Sequence, residues 1–117
     1  MASDRSRRAQ LTMVQGLQFV GRGDESGVSI VLDGSREHGG LDSGVRPTEA
    51  LLLALAGCTS MDVISILRKK RQRVTGFQVN VHGIRAEEHP KRFERIELEF
   101  VVRGWDVSED AVARSIE

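Results

Sequence analysis

Cys58 is the only cysteine in 117 residues, and it falls in the middle of Pro47-Thr-Glu49-Ala-Leu-Leu-Leu-Ala-Leu-Ala-Gly-Cys58-Thr-Ser-Met-Asp-Val-Ile-Ser-Ile-Leu-Arg68. A thiol becomes a strong nucleophile once ionised, and ionisation at neutral pH needs a nearby positive charge or hydrogen-bond donors. Placed mid-helix, Cys58 gains little from the helix N-terminus, so the helper has to come from another element. The competing reading is inert packing, because free cysteines are among the most buried residues. A lone thiol here is therefore either packing or a protected reaction centre.

The elements that must position it can be read from the pattern. Residues 48–68 predict one long helix whose apolar residues, Leu51, Leu52, Leu53, Leu55, Val63, Ile64, Ile66 and Leu67, are not confined to one stripe. Such a helix belongs in a core or an interface. Pro47 suits its first turn, Glu49 complements the N-terminal dipole, and Gly76 is the expected stop after Arg68-Lys-Lys-Arg-Gln-Arg73. Before the helix, residues 11–20 alternate loosely and Val28–Leu32 is β-rich, with turn chemistry across Gly21–Gly27, which predicts a hairpin or meander. Residues 33–45 form a polar, Gly-rich loop into the helix. After it, Phe77, Val79 and Val81, then Ile96, Leu98, Phe100 and Val102, alternate with polar residues as two half-buried strands joined by a hairpin loop at 86–92. Ser108 with Glu109 and Asp110 starts a final helix. Strands, long helix, strands and helix make an α+β domain. Two hairpins cannot cover a helix that is apolar all round, so a homodimer that packs it against its symmetry mate is the natural remedy.

Composition excludes several classes. Lys+Arg and Asp+Glu both number 17, so there is no general attraction to nucleic acid or an anionic membrane. One cysteine rules out an intrachain disulfide framework and a Cys-rich zinc site. His38, His82 and His89 lie on three separate elements without ligand spacing, so no metal site is expected. The glycines of 39–44 do not follow a buried strand in the dinucleotide pattern, and no cofactor is expected. The basic run 68–73 lacks interleaved aromatics and reads as a solvated helix end. Residues 1–10 read as a disordered or tag-like lead-in, and 11–117 as one domain. No secretory leader is recognisable, and Gly57, Thr59, Ser60 and Asp62 interrupt the apolar run of 48–68. No membrane span and a cytoplasmic location are therefore expected.

The Pro-Thr-Glu-Ala-Leu-Leu-Leu-Ala-Leu-Ala-Gly-Cys-Thr-Ser-Met-Asp-Val segment, with Ile-Leu-Arg-Lys-Lys-Arg after it and His-Pro-Lys-Arg-Phe in the following hairpin, resembles the OsmC/Ohr family. These are the osmotically inducible and organic hydroperoxide resistance proteins, and the match is best with the OsmC-like branch. It covers roughly residues 11–117. The resemblance implies an OsmC-like fold, with antiparallel sheets wrapped around a long central helix in an intertwined homodimer. It also implies a thiol peroxidase of the oxidative stress response, acting on organic hydroperoxides and using an external thiol or dithiol as reductant.

Residue by residue, the resemblance makes Cys58 the peroxidatic nucleophile, Arg22 the cation beside it and Glu49 the carboxylate that holds the arginine. Arginine is suited to the role because it stays charged and can orient a thiolate and a peroxide oxygen together. Arg22 lies in Gly-Arg-Gly-Asp, where the alternative is an ordinary solvated turn residue; the Arg-Gly-Asp triplet itself is read as chance. On one straight helix Glu49 stands about 13 Å and half a turn from Cys58. Either the first turn bends away or Glu49 works across a dimer interface; the alternative is a glutamate matched only to the helix dipole. The family's peroxidases carry a second cysteine beyond the last strand, so the C-terminal part of the family's domain is expected to be missing here. The other function class is a noncatalytic dimer that binds a small apolar ligand and keeps Cys58 as a structural residue.

Overall fold

The computed structural model describes residues 6–90 and 92–116. They fall into two compact units, Met1–Ala50 and Leu51–Glu117, with the boundary inside the long helix.

The first unit is a three-stranded antiparallel meander, β1 (Ala9–Gln15), β2 (Gln18–Gly23) and β3 (Ser29–Leu32), in that spatial order. Of the expected lead-in, residues 1–5 lie outside the described residues, and Ala9 and Gln10 already belong to β1. The break between β1 and β2 is a two-residue turn at Gly16-Leu17, closed by the Gln15↔Gln18 pair, with Gly16 at φ 52°. A side chain rarely adopts that φ, so the glycine sets the reversal. The expected turn at 21–27 is shorter than its sequence suggested. Residues 21–23 belong to β2, where Arg22 pairs with Gln10 on one side and Ser29 on the other. Arg22 is therefore a strand residue, not a turn residue.

The long helix α1 runs unbroken from Pro47 to Lys69. Its stop is not Gly76, which lies inside the next strand at a register shift. Instead Arg71 takes the left-handed conformation at φ 56°. Gln72 N donates to Leu67 O at 3.0 Å and Arg71 N to Arg68 O at 3.0 Å. This 6→1 and 5→2 pair is the Schellman arrangement that satisfies the last carbonyls.

The second unit continues with β4 (Arg73–Arg85) and β5 (Phe93–Trp105), an antiparallel ribbon of two 13-residue strands, and ends in α2 (Glu109–Ile116). Phe77, Val79, Val81, Ile96, Leu98, Phe100 and Val102 are half-buried, as the alternation predicts, and Val74 joins them out of phase across the register shift before Gly76. The rings of Phe77 and Phe100 meet edge to face at 6.0 Å. Leu52 of α1 lies over β4: a Cβ on Gly83 would stand 2.9 Å from its Cδ2 and 2.5 Å from Phe93 Cε1. α2 is tied to the end of α1. Lys70 Nζ donates to Ala111 O at 3.2 Å and to Ser115 Oγ at 3.3 Å, while Ser108 N donates to Gln72 Oε1 at 2.8 Å. Ser108 Oγ accepts from Ala111 N, capping α2 as its sequence suggests.

Ala56, Val63 and Leu67 are the buried residues of α1, and Leu67 is fully enclosed. By length and composition α1 is apolar enough to cross a membrane, contrary to the expectation that Gly57, Thr59, Ser60 and Asp62 would break the run too soon, and only 17% of its most apolar stretch is buried.

Two substitutions test this account with opposite signs. Leu67→Ala should cost about 2–5 kcal/mol, since the enclosed site has little room to collapse. Arg71→Gly should gain up to about 1 kcal/mol, because relieving a left-handed backbone at a residue with a Cβ (about 1–2 kcal/mol) outweighs the extra freedom a glycine loses on folding (about 0.5–1 kcal/mol). Chemical denaturation of the two variants reads both values.

Candidate functional site

Cys58 is exposed, in the fourth turn of α1. At 3.6 residues per turn, Leu51, Ala54, Leu55, Cys58, Met61, Asp62, Ser65 and Lys69 share an arc of about 120° on the side away from Ala56, Val63 and Leu67. Leu51 is 56% exposed, Leu55 40% and Met61 76%. The thiol thus stands in the uncovered stripe of the helix, not in its buried one. Inert core packing, as a property of the single chain, does not describe it. Within one turn of Cys58 on α1 the only charged residue is Asp62, which places a negative charge on the same face. A thiolate at this position requires a cation from another element.

Arg22 is exposed in β2, and its guanidinium folds over the turn that follows: a Cβ on Gly27 would lie 3.4 Å from its Nη2. Glu49 is exposed in the first turn of α1, and its Oε1 accepts from the backbone N–H of Arg46 at 3.0 Å. That is half of a capping box, a third-position acid reaching back to the N-cap amide. Among the described residues no hydrogen bond or ion pair joins Glu49 to Arg22.

The sequence reading missed Asp33. It is 1% exposed at the end of β3, and its carboxylate collects four hydrogen bonds. Gly34 N donates to Oδ1 at 2.7 Å. Leu41 N donates to Oδ2 at 3.1 Å, Ser43 N at 3.2 Å and Ser43 Oγ at 2.6 Å. The Ser43 hydroxyl is the chief influence holding this carboxyl below the ordinary aspartate range; burial opposes it, and the Ser43, Gly34 and Leu41 amides reinforce it. Asp-Gly-Ser after an apolar run reads as a generic turn, and the donors are up to ten residues away, so only Asp33 with its Asx-type Gly34 contact was signalled locally. Beside it, Arg46 donates to Gly44 O at 3.1 Å and pairs with Asp42. Among the described residues there is no cluster of His, Cys, Asp and Glu that could hold a metal ion.

Comparison with known proteins gives the following. The family model for OsmC-like protein matches residues 39–117. Over 110 residues the chain is 39% identical to protein YhfA of Escherichia coli K12, covering 94% of this chain and 78% of YhfA. A solved OsmC-like protein from Mycoplasma pneumoniae is 20% identical, with a TM-score of 0.81 over 97% of this chain and 79% of its own. An organic hydroperoxide resistance protein OsmC from Legionella pneumophila is 15% identical, with a TM-score of 0.67 over 97% of this chain and 83% of its own. At these identities the solved structures establish the fold, which is the α+β OsmC-like one expected from the sequence.

The lowered Asp33 carboxyl carries a pH prediction. A carboxylate whose folded value lies below its unfolded one, about 3.9, adds stability that is present above that pH and is lost as the pH falls through the folded value. Asp33→Asn should therefore melt well below the wild type at pH 7, and the gap should begin to narrow once the pH falls below about 4 and keep narrowing as the pH drops through the lower folded value. Thermal melts at pH 7 and pH 3 check it.

Proposed function

We propose a chemistry for this chain from one premise: it belongs to the OsmC-like family. It is a thiol-dependent reductase of organic hydroperoxides in which Cys58 is the nucleophile. The observation that carries this reading is the position of the sole cysteine, exposed on α1 behind the Pro47-Thr48-Glu49 start that the family resemblance marks. The Cys58 thiolate attacks one oxygen of the O–O bond. The S–O bond forms, the O–O bond breaks, and the leaving alkoxide takes a proton and departs as the alcohol. Cys58 is left as a sulfenic acid. One external thiol condenses with it, expelling water and leaving a mixed disulfide; a second thiol reduces that disulfide and restores Cys58. This chain's single cysteine makes the external thiol or dithiol obligatory for turnover. Arg22 is the cation for the thiolate and Glu49 the carboxylate that orients it, and no cofactor or metal takes part.

The uncovered face of α1 supports a homodimer as the working form. Leu51, Leu55 and Met61 are apolar and exposed, which a second copy can bury. A lipid surface suits this face less well, because Asp62 and Lys69 lie on it, and each such charge costs roughly 2.5–3.5 kcal/mol at the centre of a bilayer. The reading therefore places the protein in the cytoplasm.

Three measurements test it. With excess organic hydroperoxide and no thiol, each chain should react once, leaving Cys58 as a sulfenic acid that a dimedone-type probe traps; an unmodified Cys58 after prolonged exposure overturns the peroxidase reading and favours a noncatalytic ligand-binding dimer. Arg22→Ala should slow alkylation of Cys58 at neutral pH about tenfold, the scale of losing one nearby opposite charge, and Glu49→Gln should slow it about threefold. In sedimentation at micromolar concentration the protein should run as a dimer; a stable folded monomer removes the interface from the proposal.

A further inference from the structure

We infer that Asp33 is a positioning residue of the candidate site, acting through the 41–46 segment on Glu49. The inference rests on the role given to Glu49 above. Asp33 itself is too deeply covered to touch a ligand, at 1% exposure, yet it is the one buried carboxylate among the described residues. Its four donors all belong to the loop that leads into α1, and three of them come from Leu41 and Ser43. The path from there to Glu49 has no slack. Ser43 is held from a second side by Gln18 Nε2 of β2 at 2.7 Å. Gly44 lies flat against β3, where a Cβ would stand 2.5 Å from Val31 O. Val45 is locked beside β3 by Val45 N to Val31 O at 3.2 Å and by Asp33 N to Val45 O at 3.1 Å. Arg46 follows as the N-cap, its carbonyl accepting from Ala50 N at 2.9 Å and its amide donating to Glu49 Oε1. The Arg46 guanidinium binds back to Gly44 O and to Asp42, inside the same loop.

The consequence is a relay of position. Asp33 fixes Ser43, the β3 pairing fixes Val45, and Arg46 then fixes the carboxylate of Glu49. An uncharged Asn at 33 keeps the shape but has one acceptor oxygen instead of two. With that oxygen toward Leu41 and Ser43 its NH₂ faces the Gly34 N–H, and turned round it faces the Leu41 and Ser43 donors, so at least one loop amide loses its partner and the remaining bonds lose the carboxylate's charge. The loop then holds Arg46, and with it Glu49, less tightly. A residue that merely closed the loop would lower stability and leave the chemistry at Cys58 alone.

The experiment is the alkylation rate of Cys58 at neutral pH in the folded protein, well below the melting temperature of every variant. It compares wild type, Asp33→Asn, Glu49→Gln and the pair together, with Ser43→Ala as a milder variant if Asp33→Asn does not fold. Asp33→Asn should slow alkylation about threefold, like Glu49→Gln, and the pair should also be about threefold slow, short of the roughly tenfold expected from independent effects. Ser43→Ala should move the same way by less. A rate unchanged in Asp33→Asn and in Ser43→Ala, or a multiplied loss in the pair, overturns the inference, as does a Glu49→Gln variant that alkylates like the wild type. The peroxidase reading fails separately: a wild type whose Cys58 resists hydroperoxide, while the alkylation losses follow this pattern, removes the peroxidase and leaves Asp33 in its role.

Discussion

The structure depends on a helix that carries more apolar surface than its own chain can cover. α1 buries Ala56, Val63 and Leu67 on one side and leaves Leu51, Leu55 and Met61 open on the other. Burying apolar area contributes roughly 25 cal/mol per Å², so leaving one side of a six-turn helix in water forgoes a large share of what so small a chain has to spend on order. This one shortage explains the long bare stretch of apolar residues, the case for a second copy, and the position of the thiol. The same surplus makes α1 pass a length-and-composition test for a membrane span, although its interior charge and its packing against β4 suit a helix that seeks protein.

Because the middle of α1 is held by nonspecific apolar contact, its register has to be set at its ends, and both ends use polar geometry. At the start, Arg46 and Glu49 form the cap and the Asp33 knot anchors the approach to β3. At the finish, the left-handed Arg71 closes the Schellman hydrogen bonds, and Lys70 and Gln72 reach across to α2. Hydrogen bonds have direction and hydrophobic burial does not. A rotation of α1 by less than a half-turn would trade some of its apolar contacts for others but would move Cys58 to another face. The end contacts are what forbid it.

Much of the fold was legible because it is periodic. The limits of α1 differ from the expected 48–68 by one residue at each end, and the alternation of β4 and β5 shows directly which residues are half-buried. The features that were not legible share a cause, which is that they are set by non-local or unsignalled backbone geometry. A left-handed arginine has no signature, whereas Gly76 looks like a helix stop and instead marks a bulge. The β1–β2 reversal hangs on Gly16 alone, inside a run that otherwise alternates, so residues 11–20 read as one strand, whereas the denser turn chemistry of 21–27 does mark a turn, a shorter one that leaves Arg22 in the strand before it. Asp33 gathers donors from eight and ten residues away, a pattern no local window contains. For the site, the sequence supplied the residue types and the half-turn conflict between Glu49 and Cys58.

The face that carries Cys58 is not uniform, and its gradient bears on the proposed chemistry. Toward the start of α1 the stripe is Leu51, Ala54 and Leu55; beyond Cys58 it turns to Asp62, Ser65 and Lys69, with Met61 at the border. The thiol therefore stands where apolar surface gives way to polar surface. An organic hydroperoxide has the same division, an alkyl body and a polar O–O–H end, so it can lay its body along the leucines only if its reactive end points toward the polar half. A cover that buries Leu51 and Leu55 while stopping short of Asp62 would exclude water from the alkyl group and still leave the sulfur open to an external thiol. If Cys58 works as the proposed peroxidatic thiol, the single cysteine of this chain makes that second opening as necessary as the first. A partner that sealed the whole stripe would protect the sulfenic acid from its own reductant.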